Sequence, residues 1–367
     1  VRKRICFVQL KALAYFLPEL AITPGGAERQ IYLISRELAK NQGNEVVICV
    51  GDFGQEKMLS KEGVSLFCSI TSSRNRVLQL PLLYRCLKKI DADVYVFRTV
   101  DLGVAVGVLL VKLLGKKIIY MVANADEANP KALKSWFGSF RSAAMAWVYR
   151  NADALVVQTD EQAQDFKQFR GLDVQCKMPN LFTAPSFKED EFLPRQFVLW
   201  VGRSDPLKRP HLFIEMAKRF PEVSFVLVSP ATSYVEYSRE IECRSEEVSN
   251  LTLLDRQTEE ELMKWYCQAM VLINTSVSEG FSNAMLEALY WQVPMLTRGV
   301  NPDGVLEKYE LGFAREIEAE FDACFEQLIQ NESMRENMGK RGRAYVEKEH
   351  CPKTAMDKLE GVIETLC

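Results

Sequence analysis

Short β-rich apolar runs alternate with helix-length segments twice along this chain, and that doubled alternation narrows the possible folds more than any other feature. In the first half, strands are predicted near 5–10, 45–50, 64–68, 93–98, 117–122 and 153–158. Helices are predicted near 26–41, 77–90, 101–114, 132–150 and 160–169. A second series runs FVLWVG at 197–202, SFVLVS at 224–229, LTLL at 251–254, MVLINT at 270–275 and VPMLT at 293–297, and the sequence is helical from about 318 onward. Alternation of this kind specifies a parallel sheet covered by helices on both faces. Two series therefore predict an α/β protein of two Rossmann-like, doubly wound domains, residues 1–183 and 197–351, facing across a cleft. Residues 184–196 are rich in proline and charge, lack periodicity and read as the linker. A length of 367 residues agrees with two cores, since one core rarely organises more than about 250–300. Ligands in open α/β sheets bind at the C-terminal ends of the strands. The position of each motif relative to its strand thus tests whether it is functional.

Composition excludes several classes. The apolar fraction of 48% and charged fraction of 26% are those of an ordinary globular protein. A net charge of -3 argues against a dedicated nucleic-acid binder. The ten cysteines include no C-x-x-C pair and form no zinc set with the two histidines. They read as reduced, mostly buried thiols of a cytoplasmic protein. The start, VRKRICFVQL, is basic then apolar, but Gln9 and Lys11 interrupt the run, so a first buried strand over 5–10 is favoured over a signal peptide. LGVAVGVLLVKLL at 102–114 falls short of the roughly 20 residues that span a bilayer and reads as a buried helix.

The strongest motif is SVSEGFSNAMLEAL at 276–289. It follows a strand and opens a helix near Ser282, whose first-turn N–H groups and dipole make an anion site. Gly280 lets the backbone approach a ligand closely. Glu279 lies just before the helix, and Glu287 shares a helical face with Asn283 at i,i+4 spacing. Glu287 has apolar neighbours almost all round, so the helix is expected to be buried and its carboxylate to need a partner. A vicinal diol such as a ribose donates two hydrogen bonds to one carboxylate and suits that role.

The second motif is VGRSDPLKRPHLF at 201–213, where a strand ends at Gly202 and a helix begins near Pro210. Between them Arg203 and Lys208 offer two cations suited to a diphosphate. PGGAERQ at 24–30 follows a long loop from 11 and opens the first helix. Paired glycines there suit a loop against phosphate but are also ordinary turn chemistry, and the G-x-G-x-x-G dinucleotide fingerprint is absent. Asp91-Ala-Asp93 resembles a metal-binding D-x-D but precedes its strand, at the wrong end of the sheet. His211 and His350, the two histidines, have no triad or metal set and read as structural or solvated. Residues 131–150 mix Lys and Arg with Trp and Phe; packing on the sheet explains most of this pattern, and contact with a membrane is the other reading.

Taken together, GGAERQ at 25–30, VGRSDPLKRP at 201–210 and EGFSNAMLEAL at 279–289 resemble glycosyltransferase family 4 in order and spacing over nearly the whole chain. The E-x7-E pair Glu279 and Glu287 is the most specific element. The resemblance implies the GT-B fold and a retaining, metal-independent transfer of a hexose-type sugar, with no cofactor beyond the nucleotide-sugar donor, UDP-linked by preference. The acceptor would be a hydroxyl of a glycan or lipid-linked glycan, met in the cytoplasm or at the cytoplasmic face of the membrane. It assigns Arg203 and Lys208 to the donor diphosphate, Glu287 to the ribose and Glu279 to the donor sugar. It assigns the amides of Gly280, Phe281, Ser282 and Asn283 to sugar hydroxyls and phosphate, and Gly25 and Gly26 to closure over the donor. The family's last helix returns to the first domain, which residues 352–367 would do here.

Many members also carry a histidine near the reacting sugar in the first domain; this sequence has none before 211. FRTVD at 97–101 and VANADEAN at 122–129 would face that space, with Arg98, Asn124, Asp126 and Glu127 as candidates and an acidic residue assisting the acceptor hydroxyl. Base contacts are expected near Ser229-Pro230 and Asp255-Arg256, from topology. Two rivals fit the same fold: an epimerase or hydrolase of sugar nucleotides, and a non-catalytic sugar-nucleotide binder.

Overall fold

A computed structural model describes residues 2–20, 22–23, 25–71, 79–184, 194–232 and 234–367. The chain divides into two compact units, Val1–Thr183 with Cys351–Cys367, and Ala184–His350. The segment 184–196 read as a linker lies largely outside the described residues, as do the first residues of the helix predicted over 77–90 and Pro24 of the glycine motif.

The first unit holds strands β1 (Lys3–Val8), β2 (Asn44–Asp52), β3 (Met58–Lys61), β4 (Val64–Thr71), β5 (Val94–Arg98), β6 (Lys117–Met121), β7 (Ala154–Val157) and β8 (Cys176–Lys177). They form one sheet in the order β3-β4-β2-β1-β5-β6-β7-β8, parallel except for the β3–β4 hairpin. The second unit holds β9 (Phe197–Val201), β10 (Phe225–Val228), β11 (Leu251–Leu254), β12 (Ala269–Asn274), β13 (Met295–Thr297) and β14 (Gly312–Ala314). Their order, β11-β10-β9-β12-β13-β14, is wholly parallel. In both sheets the order reverses beside the first strand of the unit, which is the doubly wound arrangement the alternation predicts.

Burial explains why these runs become central strands. Ile5, Cys6 and Phe7 of β1 and Val198 and Leu199 of β9 are fully enclosed, because helices cover both faces of each sheet. The Pro352–Leu366 helix places Ala355, Met356, Leu359 and Ile363 in the first unit's core beside Ile31 and Cys176.

Several expectations are corrected. The first strand runs Lys3–Val8, ending before Gln9. The region 11–24, expected to be a long loop, contains a helical turn at Leu13–Phe16 and a 3-10 turn at Pro18–Leu20; Leu13, Phe16 and Leu17 are core residues there. The single helix predicted over 132–150 is two, Pro130–Phe137 and Ser139–Asn151, broken at Gly138, whose φ of 82° L-residues avoid. All ten cysteines are free, but four are buried, four half-buried and two exposed, so "mostly buried" overstated their enclosure.

In the second unit the Glu332–Glu349 helix packs closely on the Asn283–Tyr290 helix. A side chain at Gly339 would come within 2.3 Å of the Gln292 carbonyl oxygen, and one at Gly342 within 2.8 Å of Leu289 Cδ2. The Gln292 carbonyl is backbone and cannot yield without moving the turn that follows the Asn283–Tyr290 helix, whereas Leu289 Cδ2 is the end of a side chain. Gly339→Ala is therefore expected to cost about 1–3 kcal/mol of stability. Gly361→Ala, in open space on the last helix, should be neutral or stabilise by up to about 1 kcal/mol. Denaturant melts of the two variants check the contrast.

Candidate active site

Two loops of the second unit, both leaving the C-terminal edge of the sheet, carry the strongest motifs. One follows β9 and runs through Arg203 and Lys208 to the helix Pro210–Arg219; the other follows β12 and reaches the Asn283–Tyr290 helix. Because β9 and β12 are neighbours in the sheet, the two loops emerge side by side.

Thr275 fastens them. Its hydroxyl, 2% exposed, accepts from Trp200 Nε1 at 2.9 Å and donates toward the carbonyls of Lys208 at 2.7 Å and Arg209 at 3.0 Å. Arg209 returns the connection, Nε to the Thr275 carbonyl at 2.6 Å and Nη2 to the Ser276 carbonyl at 2.9 Å. Arg209 itself adopts a left-handed conformation, φ 53°, which a non-glycine residue holds only when its surroundings enforce it. The Val277 amide adds a bond to the Leu207 carbonyl at 2.8 Å. Asp205 shapes the first loop from within, accepting from the Leu207 amide through its side chain and the Lys208 amide through its carbonyl, both at 2.9 Å.

This framework brings Lys208 and Glu279 together as an ion pair, Nζ to Oε1, with side chains 26% and 13% exposed. Ser276 Oγ donates to the same Glu279 oxygen at 3.1 Å. Desolvation first, and the Arg203 guanidinium second, push the Lys208 ammonium down to about 8, against the opposing pull of Asp205. Arg203 is more open at 56% exposure, with Nη2 3.6 Å from Asp205 Oδ2. Gly202 lies under the Trp200 ring, where a Cβ would approach within 2.8 Å.

The second loop ends on Ser282, whose Oγ caps the helix by accepting from the Met285 amide at 3.3 Å. Gly280 and Phe281 are buried; the Phe281 ring rests on His350, 4.8 Å between centroids, and on Tyr345, 5.8 Å. His350, at 1% exposure, is thus a structural residue. Asn283 and Glu287 share one half-buried face of the helix, so Glu287 is less enclosed than its apolar neighbours implied. Ser229 and Asp255 follow β10 and β11 at the same sheet edge; Ser229 is buried and its Oγ lies 2.8 Å from Ser204 Oγ.

In the first unit Gly25 is the N-cap of the helix Gly26–Ala39, and its amide donates to Glu28 Oε2 at 2.9 Å. Arg98 ends β5 at 3% exposure and donates through Nη2 to Asn180 at 2.8 Å; its Nε has no hydrogen-bond partner among the described residues. Burial lowers the guanidinium to about 10, opposed by the charge of Glu127. Glu127 accepts from the Ala123 and Asn124 amides, each at 2.8 Å, from Tyr120 at 2.7 Å and from Tyr149 at 3.3 Å. Burial raises its carboxyl. Four bonds commit Glu127 to holding the 3-10 turn Ala125–Ala128, and Asp126 is the half-buried carboxylate of that turn. Asp91 caps the preceding helix and Asp93 accepts from the Arg4 amide at 2.8 Å, so the D-x-D lies at the N-terminal end of β5.

Residues 24–176 match the model of Glycosyltransferase Family 4, and 183–345 that of Glycosyl transferases group 1. The two matches lie end to end along the chain, which is a glycosyltransferase similar to those of family 4. It is 25% identical over 163 residues to "Glycosyltransferase 1 domain-containing protein 1" of Xenopus tropicalis, a match covering 44% of this chain and 47% of that protein. The matched region thus spans about half the length of this curated relative. The GT-B fold is shared with sucrose-phosphate synthase from Thermosynechococcus elongatus, at a TM-score of 0.79 and 16% identity over 100% of this chain and 99% of that one. It is shared also with a trehalose-6-phosphate protein from E. coli bound with UDP-2-fluoro glucose, at 0.72 and 13% identity over 99% of each chain.

Sequence reasoning named Glu279 and Lys208 separately but missed Thr275, Trp200, Asp205 and Arg209, which hold them together. A polar residue ending an apolar strand run, as Thr275 does after MVLIN, was the available signal. Thr275→Val keeps the shape and removes the hydroxyl, leaving the buried Trp200 N–H unpaired. The expected cost is about 1–3 kcal/mol of stability, read from denaturant melts.

Proposed function

We propose that this protein moves a hexose-type sugar from a nucleotide-sugar donor, UDP-linked by preference, to a hydroxyl of a glycan or lipid-linked glycan, with retention and without a metal. The observation that carries this reading is the fixed Lys208–Glu279 pair beside the N-terminus of the Asn283–Tyr290 helix, at the C-terminal edge of the sheet. A departing diphosphate gains negative charge as its bond to the sugar breaks. Lys208, Arg203 and the helix N-terminus are cationic groups and dipoles set in place beforehand, the arrangement that stabilises such charge without reorganisation. These groups supply positive charge that a divalent ion supplies elsewhere, which is the basis for the metal-independent reading. The preference for UDP draws on the E. coli neighbour bound with UDP-2-fluoro glucose.

In this reading Glu287 receives the ribose hydroxyls and Glu279 faces the donor sugar, its carboxylate oriented by Ser276 and Lys208. Gly280, Phe281, Ser282 and Asn283 bring their backbone to the sugar and phosphate, and Gly25 and Gly26 close over the donor. The acceptor oxygen bonds to the anomeric carbon on the face from which the diphosphate departs. The acceptor proton passes to the leaving phosphate oxygen. Asp126 is the acceptor-side carboxylate, and Arg98, whose charge acts on Glu127 of the same turn, is the cation on that side.

A panel of nucleotide sugars tests the proposal, first by thermal stabilisation and then by nucleotide release with and without glycan acceptors, in buffer and in EDTA. Stabilisation by a UDP-sugar and acceptor-dependent release in both buffers are expected; no stabilisation by any nucleotide sugar would sink the reading. Lys208→Ala and Glu287→Ala should each weaken donor binding roughly 10–100-fold, from the loss of hydrogen bonds to charged groups, with the protein still folded. Unchanged affinity in both would misplace the site.

The Lys208 ammonium binds phosphate only when protonated. With its pKa lowered to about 8, donor affinity should hold on the acid side and fall as pH rises through and beyond 8. Isothermal titrations between about pH 7 and 9.5 read the fall, which Lys208→Ala should abolish.

A further inference from the structure

Two helices of the first unit, Leu102–Leu113 and Ser139–Asn151, pack on each other and expose large apolar side chains. On the first, Leu109, Lys112 and Leu113 share a face by i,i+3,i+4 spacing; on the second, Phe140, Ala143, Trp147 and Arg150 do so. Leu113 is 68% exposed and Phe140 77%. Lys112 Nζ donates to the Asn151 carbonyl at 3.4 Å, and Asn151 Nδ2 donates to the Trp147 carbonyl at 2.8 Å, so the two stripes meet.

Charge is segregated around them. Residues 102–117 and 130–151 contain seven lysines and arginines and no aspartate or glutamate, in a chain whose acidic residues outnumber its basic ones by 49 to 46. Lys116 and Lys117 are paired with Asp91 and Asp153. Lys131, Lys134, Arg141 and Arg150 form no ion pair among the described residues. Exposed apolar side chains among uncompensated cations are what the interface of an anionic bilayer accommodates: the apolar groups enter the headgroup boundary and the cations meet lipid phosphates. A two-fold dimer through this face would instead oppose like charges. No described helix is long and apolar enough to cross a membrane, so contact of this kind would be made at its surface.

We propose that the face formed by Leu109, Leu113, Phe140 and Trp147, with its surrounding cations, docks this protein on anionic lipid bilayers. The docking does not depend on donor binding, so it can fail while the sugar-transfer reading stands, and the reverse.

Flotation of the full chain with vesicles tests it, comparing phosphatidylcholine containing about 30% phosphatidylglycerol with phosphatidylcholine alone, at about 100 mM salt. Binding to the anionic vesicles, weak binding to neutral ones and release at high salt are expected. Combining Leu113→Glu with Phe140→Glu should lower the bound fraction about tenfold or more. Both sites are exposed, so the melting temperature and nucleotide-sugar stabilisation should not change. Three results would overturn the proposal: no binding to anionic vesicles, unaltered binding by the folded double variant, or a dimer in solution that the same variant disperses.

Discussion

One buried hydroxyl has a large share in how the second unit presents its chemistry. Thr275 follows the central strand Ala269–Asn274, and an apolar side chain of its shape would leave the Trp200 N–H without an acceptor. The hydroxyl instead accepts the indole N–H and donates toward two carbonyls of the neighbouring loop. An unpaired polar group buried at that depth costs more than its bond contributes, so each partner constrains the others. Arg209 closes the arrangement from the opposite side and stays in a left-handed conformation to do so. Lys208 lies between the two fixed points, and its reach toward Glu279 follows from them.

The Lys208–Glu279 pair also shows why partial burial suits a binding site. A fully enclosed pair would be expensive to separate, and a fully exposed pair would be weak and screened. At 26% and 13% exposure the two side chains lie between these limits. Arg203, more open and tied only loosely to Asp205, adds charge without being committed to a single partner. The same contrast holds in the first unit, where Glu127 is saturated by four hydrogen bonds while its neighbour Asp126 is half-buried in the turn that Glu127 secures.

Periodicity made the architecture legible. Strands such as Val94–Arg98 and Ala269–Asn274 are continuous apolar runs, and Ser282 marks its helix start by capping chemistry. Strands too short to establish a period escaped: Met58–Lys61 is mostly exposed, Cys176–Lys177 has two residues and Gly312–Ala314 three. The sequence shows Gly138 as a glycine but not its positive φ, which divides the helical stretch in two. Region 11–24 has no long periodic pattern, and Leu13, Phe16 and Leu17 anchor a turn too short to produce one. In the site, residue types identified Lys208 and Glu279 but not their pairing, because 71 residues separate them and only the adjacency of β9 and β12 makes them neighbours.

The Glu332–Glu349 helix carries none of the sequence signals that mark the site, yet two features of the site lean on it. Gly339 and Gly342 admit the Asn283–Tyr290 helix to close contact, and Tyr345 with His350 receives the ring of Phe281. A fragment ending before Glu332 would therefore keep every residue of both motifs and lose the surface that shapes the second. Motif content alone would misjudge such a fragment as competent. The smallest portion of this chain able to present the site is set by a helix with no chemistry of its own.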